Sequence, residues 1–247
     1  MNKLEILNKV YKLLELYKSG LLGGEIMPED ENPGLNKSSS ENYIYFTLPM
    51  ALNYQRNSYK LWEGANKSYS DNDTKDIFNL TQVIEMSDDA LRAKLLKYKV
   101  ALQPNKHIEI WKTISNTIIR DFDGNIKNLF INNDYDVEKI KNYILTHKKD
   151  FPYLGGSKIL NYWLYVIEQY TNAKFKNREF ITVAPDTHVI QSSVKLGLIN
   201  NTEAQNANIR DELAERWKVL LFDTNLSTID IHTPMWLWSR GGFKYDI

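Results

Sequence analysis

The hydrophobic residues of this chain recur mostly with the spacing of α-helices, and the alternation typical of β-strands is scarce. Helices are predicted over 1–18, 76–83, 87–98, 105–122, 135–147, 159–170 and 206–222. In the first helix, one predicted apolar face contains Leu4, Leu7, Val10, Leu13, Leu14 and Tyr17. Segment 19–42 is rich in Gly, Pro, Ser, Asn and acids, which indicates a loop. Several helices joined by short loops predict an all-α fold.

Local signals set the expected ends of some helices. Ser87 followed by two aspartates is typical of a capped helix start, because the acids oppose the positive helix N-terminus. The segment Phe46–Asn57 is predicted to open a helix with Pro49 in its first turn. In 206–222 the predicted core positions are Ile209, Leu213, Trp217, Leu220 and Leu221.

Composition narrows the class of protein. The chain has 247 residues, no net charge and a pI of about 6.9, which leaves nucleic-acid binding open because a local patch decides it. Without cysteine it forms neither a disulfide nor a cysteine-ligated iron–sulfur cluster. Its four histidines lack metal-ligand spacing, so no metal site is expected. No long apolar run predicts a membrane span, and a soluble intracellular protein is expected.

The candidate chemistry is concentrated in segment 150–198. A Gly155-Gly156 turn feeds a predicted helix, whose first N–H groups would suit an anion such as phosphate. Lys158 stands in the first turn of that helix, and Asp186 is predicted to be the N-cap of the next one. A tight turn, an amine and an isolated carboxylate suit chemistry on a sugar–phosphate chain.

These motifs resemble the helix-hairpin-helix DNA glycosylase superfamily, the group of endonuclease III and the 8-oxoguanine DNA glycosylases. That family has a glycine-rich hairpin, a lysine, a helix, and then a Val-Asp-Thr-His-Val-like segment with an essential aspartate. Gly155, Gly156, Lys158 and segment 185–189 (Pro-Asp-Thr-His-Val) match this order. Leu154 replaces the first hairpin glycine, and the gap between Lys158 and Asp186 is longer than in endonuclease III. The chain is therefore interpreted as a divergent member without an iron–sulfur cluster.

The resemblance runs loosely from about Tyr43 to Gly242, and only the two quoted motifs are specific. It implies an all-α, two-lobed fold with an active-site cleft between the lobes that holds Lys158 and Asp186. Three segments are expected. Residues 1–52 form an N-terminal helix and loop that pack with the C-terminal lobe, 53–147 form a central helical bundle, and 148–247 form the hairpin and C-terminal lobe.

The resemblance also implies a base-excision-repair reaction. Asp186 would stabilise the positive charge that builds on the sugar as the base leaves. Lys158 would attack the anomeric carbon and form a Schiff base, after which β-elimination cuts the strand. The predicted activity is thus a DNA glycosylase with AP lyase activity. The expected substrate is 8-oxoguanine first, then oxidised pyrimidines, then uracil or thymine mismatches.

Contacts to double-stranded DNA with a damaged base follow from the same resemblance. The expected backbone contacts are Pro152, Leu154, Gly155, Gly156, Ser157 and His188, and a monovalent cation at the hairpin is the one cofactor considered. Asn53, Tyr54, Gln55 and Arg56 would lie near the extruded base. Trp236, Trp238 and Phe243 are candidates for the base pocket. A monomer in the cytoplasm, associated with the nucleoid, is expected.

Simpler roles stay open for these residues. Asp186 can be only a helix cap, Lys158 only a phosphate-binding or solvent-facing side chain, and the tryptophans only core residues. His188 can make a structural hydrogen bond. At the level of the whole protein, the alternatives are a non-catalytic helix-hairpin-helix DNA-binding protein, a monofunctional glycosylase for another lesion, and an all-α interaction protein.

Overall fold

The structure is a computed structural model that describes residues 2–23, 27–183 and 186–247, apart from the side chains of Ser157 and Asp211. In chain order the α-helices are α1 Lys3–Lys18, α2 Ser40–Ala51, α3 Ser58–Ser70, α4 Leu80–Glu85, α5 Asp88–Lys97, α6 Lys106–Phe122, α7 Lys127–Asn132, α8 Val137–Thr146, α9 Ser157–Tyr170, α10 Thr187–Leu196, α11 Asn201–Ala204, α12 Ile209–Leu221 and α13 His232–Arg240. Within the described residues, the short 3-10 helices are η1 Pro28–Asp30, η2 Lys75–Phe78, η3 Arg178–Phe180 and η4 Thr228–Ile231.

The predicted all-α class is confirmed for the residues that the structure describes. They contain no β-strand, only one isolated bridge between Asp136 and Lys176. Among these helices, none combines the length and the apolar character that a membrane crossing requires.

The chain folds as two compact units. The central unit is Met27–Asn177, and the terminal unit combines Met1–Ile26 with Arg178–Ile247. These limits differ from the predicted boundaries at 52/53 and 147/148, because the hairpin and residues 27–52 both belong to the central unit.

Packing between α2 and α9 explains this difference. The Trp163 indole donates to Thr47 Oγ1 at 3.1 Å, and the Phe46 and Tyr170 rings stack with centroids 5.0 Å apart. The Asn42 amide donates to the Tyr170 carbonyl at 2.9 Å. These contacts fix α2 to the helix that follows the hairpin, so both elements share one core.

The terminal unit buries one face of α1 against the C-terminal helices, as predicted for the N-terminal helix. On α1 the buried residues are Ile6, Val10, Leu13 and Leu14, whereas Leu4 and Tyr17 are exposed, so the predicted face was wrong at these two positions. The five core positions predicted between Ile209 and Leu221 are all buried. Trp217 extends this core by donating its indole N–H to Ser193 Oγ at 3.0 Å.

Two helix predictions in the central unit were wrong. Helix α2 begins at Ser40, inside the predicted loop, and its N-cap Ser39 accepts from the Asn42 amide. Pro49 therefore lies in the last turn of α2 rather than in a first turn, and residues 53–56 form the loop before α3. The prediction at Ser87 is confirmed, because its side chain caps α5 by accepting from the Ala90 amide.

Gly64 permits a close approach between α3 and the loop after α5. A Cβ atom at position 64 would overlap the carbonyl oxygen of Tyr98. We expect Gly64→Ala to lower the free energy of unfolding by about 1–3 kcal/mol, since backbone must shift to admit the methyl group. Urea denaturation measures this change. Gly23→Ala is the control, because a Cβ there meets no atom within 4 Å; equal stabilities of the two variants would contradict the prediction.

Candidate functional site

The predicted hairpin is present as a tight turn between α8 and α9. Gly155 N–H donates to the Phe151 carbonyl at 2.9 Å, and Gly156 N–H donates to the Tyr153 carbonyl at 3.0 Å. Phe151 and Leu154 are fully buried and anchor the turn in the core of the central unit. The chain here therefore forms helix, hairpin and helix in the predicted order.

The outer side of the hairpin carries its chemical groups. Gly156 is the N-cap of α9 and offers no side chain to the first amides of the helix, which have no acceptor within the helix. Lys158 stands in this first turn and is exposed, and Lys148 and Lys149 are exposed at the end of α8. Unpaired amides at a helix start together with several ammonium groups attract an anion such as a backbone phosphate.

The hairpin residues predicted to contact DNA differ in how much of each residue is accessible to a ligand. Pro152 is half-buried and Gly156 exposed, whereas Gly155 and the Leu154 side chain are buried, so Leu154 could meet a ligand only through its backbone. The side chain of Ser157 lies outside the described residues. The carbonyl oxygens of residues 151–153 each accept a hydrogen bond from an amide within the hairpin. Each oxygen retains a second lone pair, which is the group that could coordinate a monovalent cation.

The loop that contains Asn53, Tyr54, Gln55 and Arg56 lies beside the hairpin. The half-exposed ring of Tyr54 contacts the ring of Tyr153, with centroids 5.4 Å apart. Gln55 is exposed, and Asn53 accepts from the Ser58 hydroxyl at 2.9 Å. The structure thus brings together two segments that are almost a hundred residues apart. Tyr153 is not among the residues predicted for the site. Its backbone is left-handed (φ 61°), and a tyrosine in the sequence gives no sign of that conformation.

Arg56 has a structural role. Its guanidinium donates to the carbonyls of Lys99 and Val100, at 2.7 and 2.5 Å, and burial lowers its pKa to about 10. These bonds tie the loop to the segment that follows α5. Two of its nitrogens are therefore engaged with the backbone of the protein, which leaves Tyr54 and Gln55 as the exposed residues of the loop.

Asp186 belongs to the terminal unit and is the N-cap of α10, as predicted. Its Oδ1 atom accepts from the Val189 amide at 2.9 Å, and its side chain is only partly buried. The preceding Pro185, part of the matched motif, lies outside the described residues. This bond holds the carboxylate at the helix start, where the helix dipole favours a negative charge.

His188 lies in the first turn of α10 and packs against α13. Its Nδ1 atom lies 3.1 Å from Ser239 Oγ, and the Ser239 hydroxyl donates to Gln191 Oε1 at 2.7 Å. A hydroxyl has one proton, so we assign the proton of the first bond to His188 Nδ1. The histidine thus makes a structural hydrogen bond, one of the two roles considered for it.

The three aromatic candidates for the base pocket separate into two groups. Trp238 is buried, donates its indole N–H to the Tyr245 carbonyl at 2.9 Å and contacts Phe243 edge-on. Trp238 and Phe243 therefore pack the terminal unit. Trp236 remains partly exposed, lies edge-on to His188 with centroids 5.4 Å apart, and has the Arg240 guanidinium over its ring. Of the three, Trp236 best combines an accessible ring with a position near the start of α10.

A buried carboxyl group, also missed by the sequence analysis, lies against α9 in the central unit. The Glu29 side chain accepts from the Tyr162 hydroxyl at 2.9 Å through Oε2, while Oε1 has no hydrogen-bond partner. Burial raises the pKa of Glu29 to about 7, opposed by the hydrogen bond from Tyr162 and by the nearby Trp62 indole. The Trp62 Nε1 atom is itself buried and makes no hydrogen bond of normal geometry.

No model of a known protein family matches the sequence, and a search of curated proteins gives no match.

Proposed function

We propose that the protein is a DNA glycosylase with AP lyase activity in base excision repair, a divergent relative of the helix-hairpin-helix glycosylases. The observation that carries the proposal is the hairpin between α8 and α9. It combines a glycine N-cap, open helix amides and an exposed lysine in the first turn. Such a turn suits a phosphate beside a nucleophilic amine.

The proposed reaction uses Lys158 and Asp186. The Nζ lone pair of Lys158 attacks C1′ of the damaged nucleotide, and the bond from C1′ to the base breaks, so that the base leaves with the bonding electrons. The carboxylate of Asp186 stabilises the positive charge that develops on the sugar. The sugar ring opens to a Schiff base with Lys158, and loss of a C2′ proton then expels the 3′-phosphate.

Two further observations support DNA as the partner. The lysines at 148, 149 and 158 surround the hairpin, so contacts to phosphate would give affinity that falls with salt. The Tyr54 and Tyr153 rings offer a stacking surface next to it, and bases stack on aromatic side chains whatever their sequence. We assign Tyr54 to the space that the extruded nucleotide leaves.

Borohydride trapping tests the nucleophile. The protein is incubated with duplexes that carry 8-oxoguanine, thymine glycol, uracil, a G·T mismatch, an abasic site or no lesion. We expect a covalent protein–DNA adduct with one damaged base and with the abasic site. Lys158→Gln should reduce this adduct to the level seen with undamaged DNA, because no other amine takes the place of the nucleophile.

Lys174→Gln is the matched control, since it removes an exposed lysine of the central unit outside the hairpin and should retain the adduct. If the base is released but no covalent adduct is trapped, the protein is a monofunctional glycosylase, and Lys158 is not the nucleophile. Salt-sensitive DNA binding without release of any base would instead identify the protein as a DNA-binding module.

A further inference from the structure

An exposed apolar patch lies on the terminal unit, where the start of α1 meets the end of α12. Leu4, Val219 and Phe222 are exposed by 67, 63 and 72%, more than any other large apolar side chain that the structure describes. Lys3 Nζ lies 3.7 Å from Asp223 Oδ2, so the two helix ends are adjacent. Apolar side chains in water cost free energy, and clusters of them are typical of surfaces that a partner covers.

A groove of about 600 Å³ lies beside the same patch. Its apolar lining comes from Leu198, Val219 and Leu220, and its other lining residues are charged ones of α12 together with Lys3. Phe222 follows Val219 by about one helical turn, so the two side chains lie on one side of α12. This face therefore carries both a projecting aromatic ring and an apolar groove. A projection and a hollow on one face are self-complementary, as a two-fold symmetric contact requires.

The exposed charges of α12 favour a second copy of the chain as the occupant. Glu215 and Lys218 are both exposed, and neither forms an ion pair with another side chain that the structure describes. If two copies of α12 pack antiparallel, with the two-fold axis between positions 216 and 217, Glu215 of each copy lies opposite Lys218 of the other. Val219 of each copy then packs against the groove-lining turns of the other helix. Opposite charges and apolar surfaces are thus matched in one register.

We propose that two copies of the chain associate through this face, with their α12 helices antiparallel. The Phe222 ring of each copy enters the groove of the other, and two equivalent Glu215–Lys218 pairs flank the apolar contact. Such a contact uses the same face on both copies, so it closes at a dimer and does not continue into a filament. The dimer takes the place of the monomer expected from the sequence, and it does not rest on the glycosylase function.

Sedimentation velocity from about 1 to about 200 µM protein measures the association, because a reversible dimer forms by mass action. The wild-type protein should change from monomer to dimer over this range. Phe222→Ser should remain monomeric throughout, while its thermal unfolding matches the wild type because the ring is exposed. Ile131→Ser is the matched control. It removes a 51% exposed apolar side chain from α7 of the central unit and should dimerise as the wild type does.

Exchange of charges tests the antiparallel register. Glu215→Lys and Lys218→Glu should each weaken the association by about tenfold, because each variant places like charges opposite one another at two equivalent positions. The double variant restores opposite charges and should associate as the wild type does. An equimolar mixture of the two single variants should form a heterodimer, since every facing pair then has opposite charges.

Three results would overturn the proposal. A wild-type protein that is monomeric at every concentration would leave this face to a partner of another kind. A dimer that persists in Phe222→Ser would have its contact elsewhere on the molecule. Failure of the double variant to recover association, together with the absence of a heterodimer in the mixture, would reject the antiparallel contact of α12.

Discussion

Asp186→Asn should reduce the rate of base release by about a hundredfold or more while leaving the protein folded. The variant removes the negative charge that is proposed to stabilise the sugar cation. It retains an oxygen that can accept from the Val189 amide, and asparagine is as good an N-cap as aspartate. The loss would therefore measure electrostatic stabilisation of the transition state rather than loss of the helix start. The rate is measured as single-turnover release of the base from the lesion that gives the covalent adduct, and the stability is measured by thermal unfolding.

Asp136→Asn provides the matched control. Asp136 is also an N-cap, of α8, and accepts from the Glu138 and Lys139 amides. It lies outside the proposed catalytic residues, so its variant should release base at the wild-type rate. If the two variants lost activity equally, or if Asp186→Asn lost none, Asp186 would be only a helix cap.

The sequence predicts those parts of the fold whose signals are local. Helix α5 has a serine cap and acids in its first turn, and α6 has a regular apolar face, so both were predicted to within a residue or two. The hairpin was predicted from two adjacent glycines before a lysine. Each of these features depends on residues within one or two helical turns.

Helix α2 shows why other elements were missed. Its residues from Asn42 to Ala51 are all buried, so polar and apolar positions do not alternate with a helical period. Pro49 favours a helix start in isolation, yet tertiary packing places it in the last turn. The limits of the two units differ from the predicted segments for a related reason, because the contact of α2 with α9 joins residues more than a hundred positions apart.

The buried carboxyl group illustrates the limit of local signals at the candidate site. Glu29 lies among Gly, Pro and acidic residues that indicate an exposed loop. Its burial depends on Tyr162 and Trp62, which come from two distant helices. Asp186 and Lys158, in contrast, stand next to helix starts, where the sequence itself marks the position.

Glu29→Gln should make the protein more stable than the wild type at pH 8, by an amount that shrinks as the pH falls to 5. Burial raises the pKa of Glu29 from its ordinary 4.5 to about 7. Between these values the folded state holds a proton that the unfolded state has released, so wild-type stability declines as the pH rises through this interval. The full difference corresponds to roughly 3 kcal/mol, reached above pH 7. Glutamine has no proton to lose and escapes this penalty.

Urea unfolding of both proteins between pH 5 and pH 8.5 measures the difference, since all other titrating groups contribute equally and cancel. Glu31→Gln should follow the wild-type profile, because its carboxylate is exposed. Parallel profiles for Glu29→Gln and the wild type would mean that Glu29 titrates alike in the folded and unfolded states.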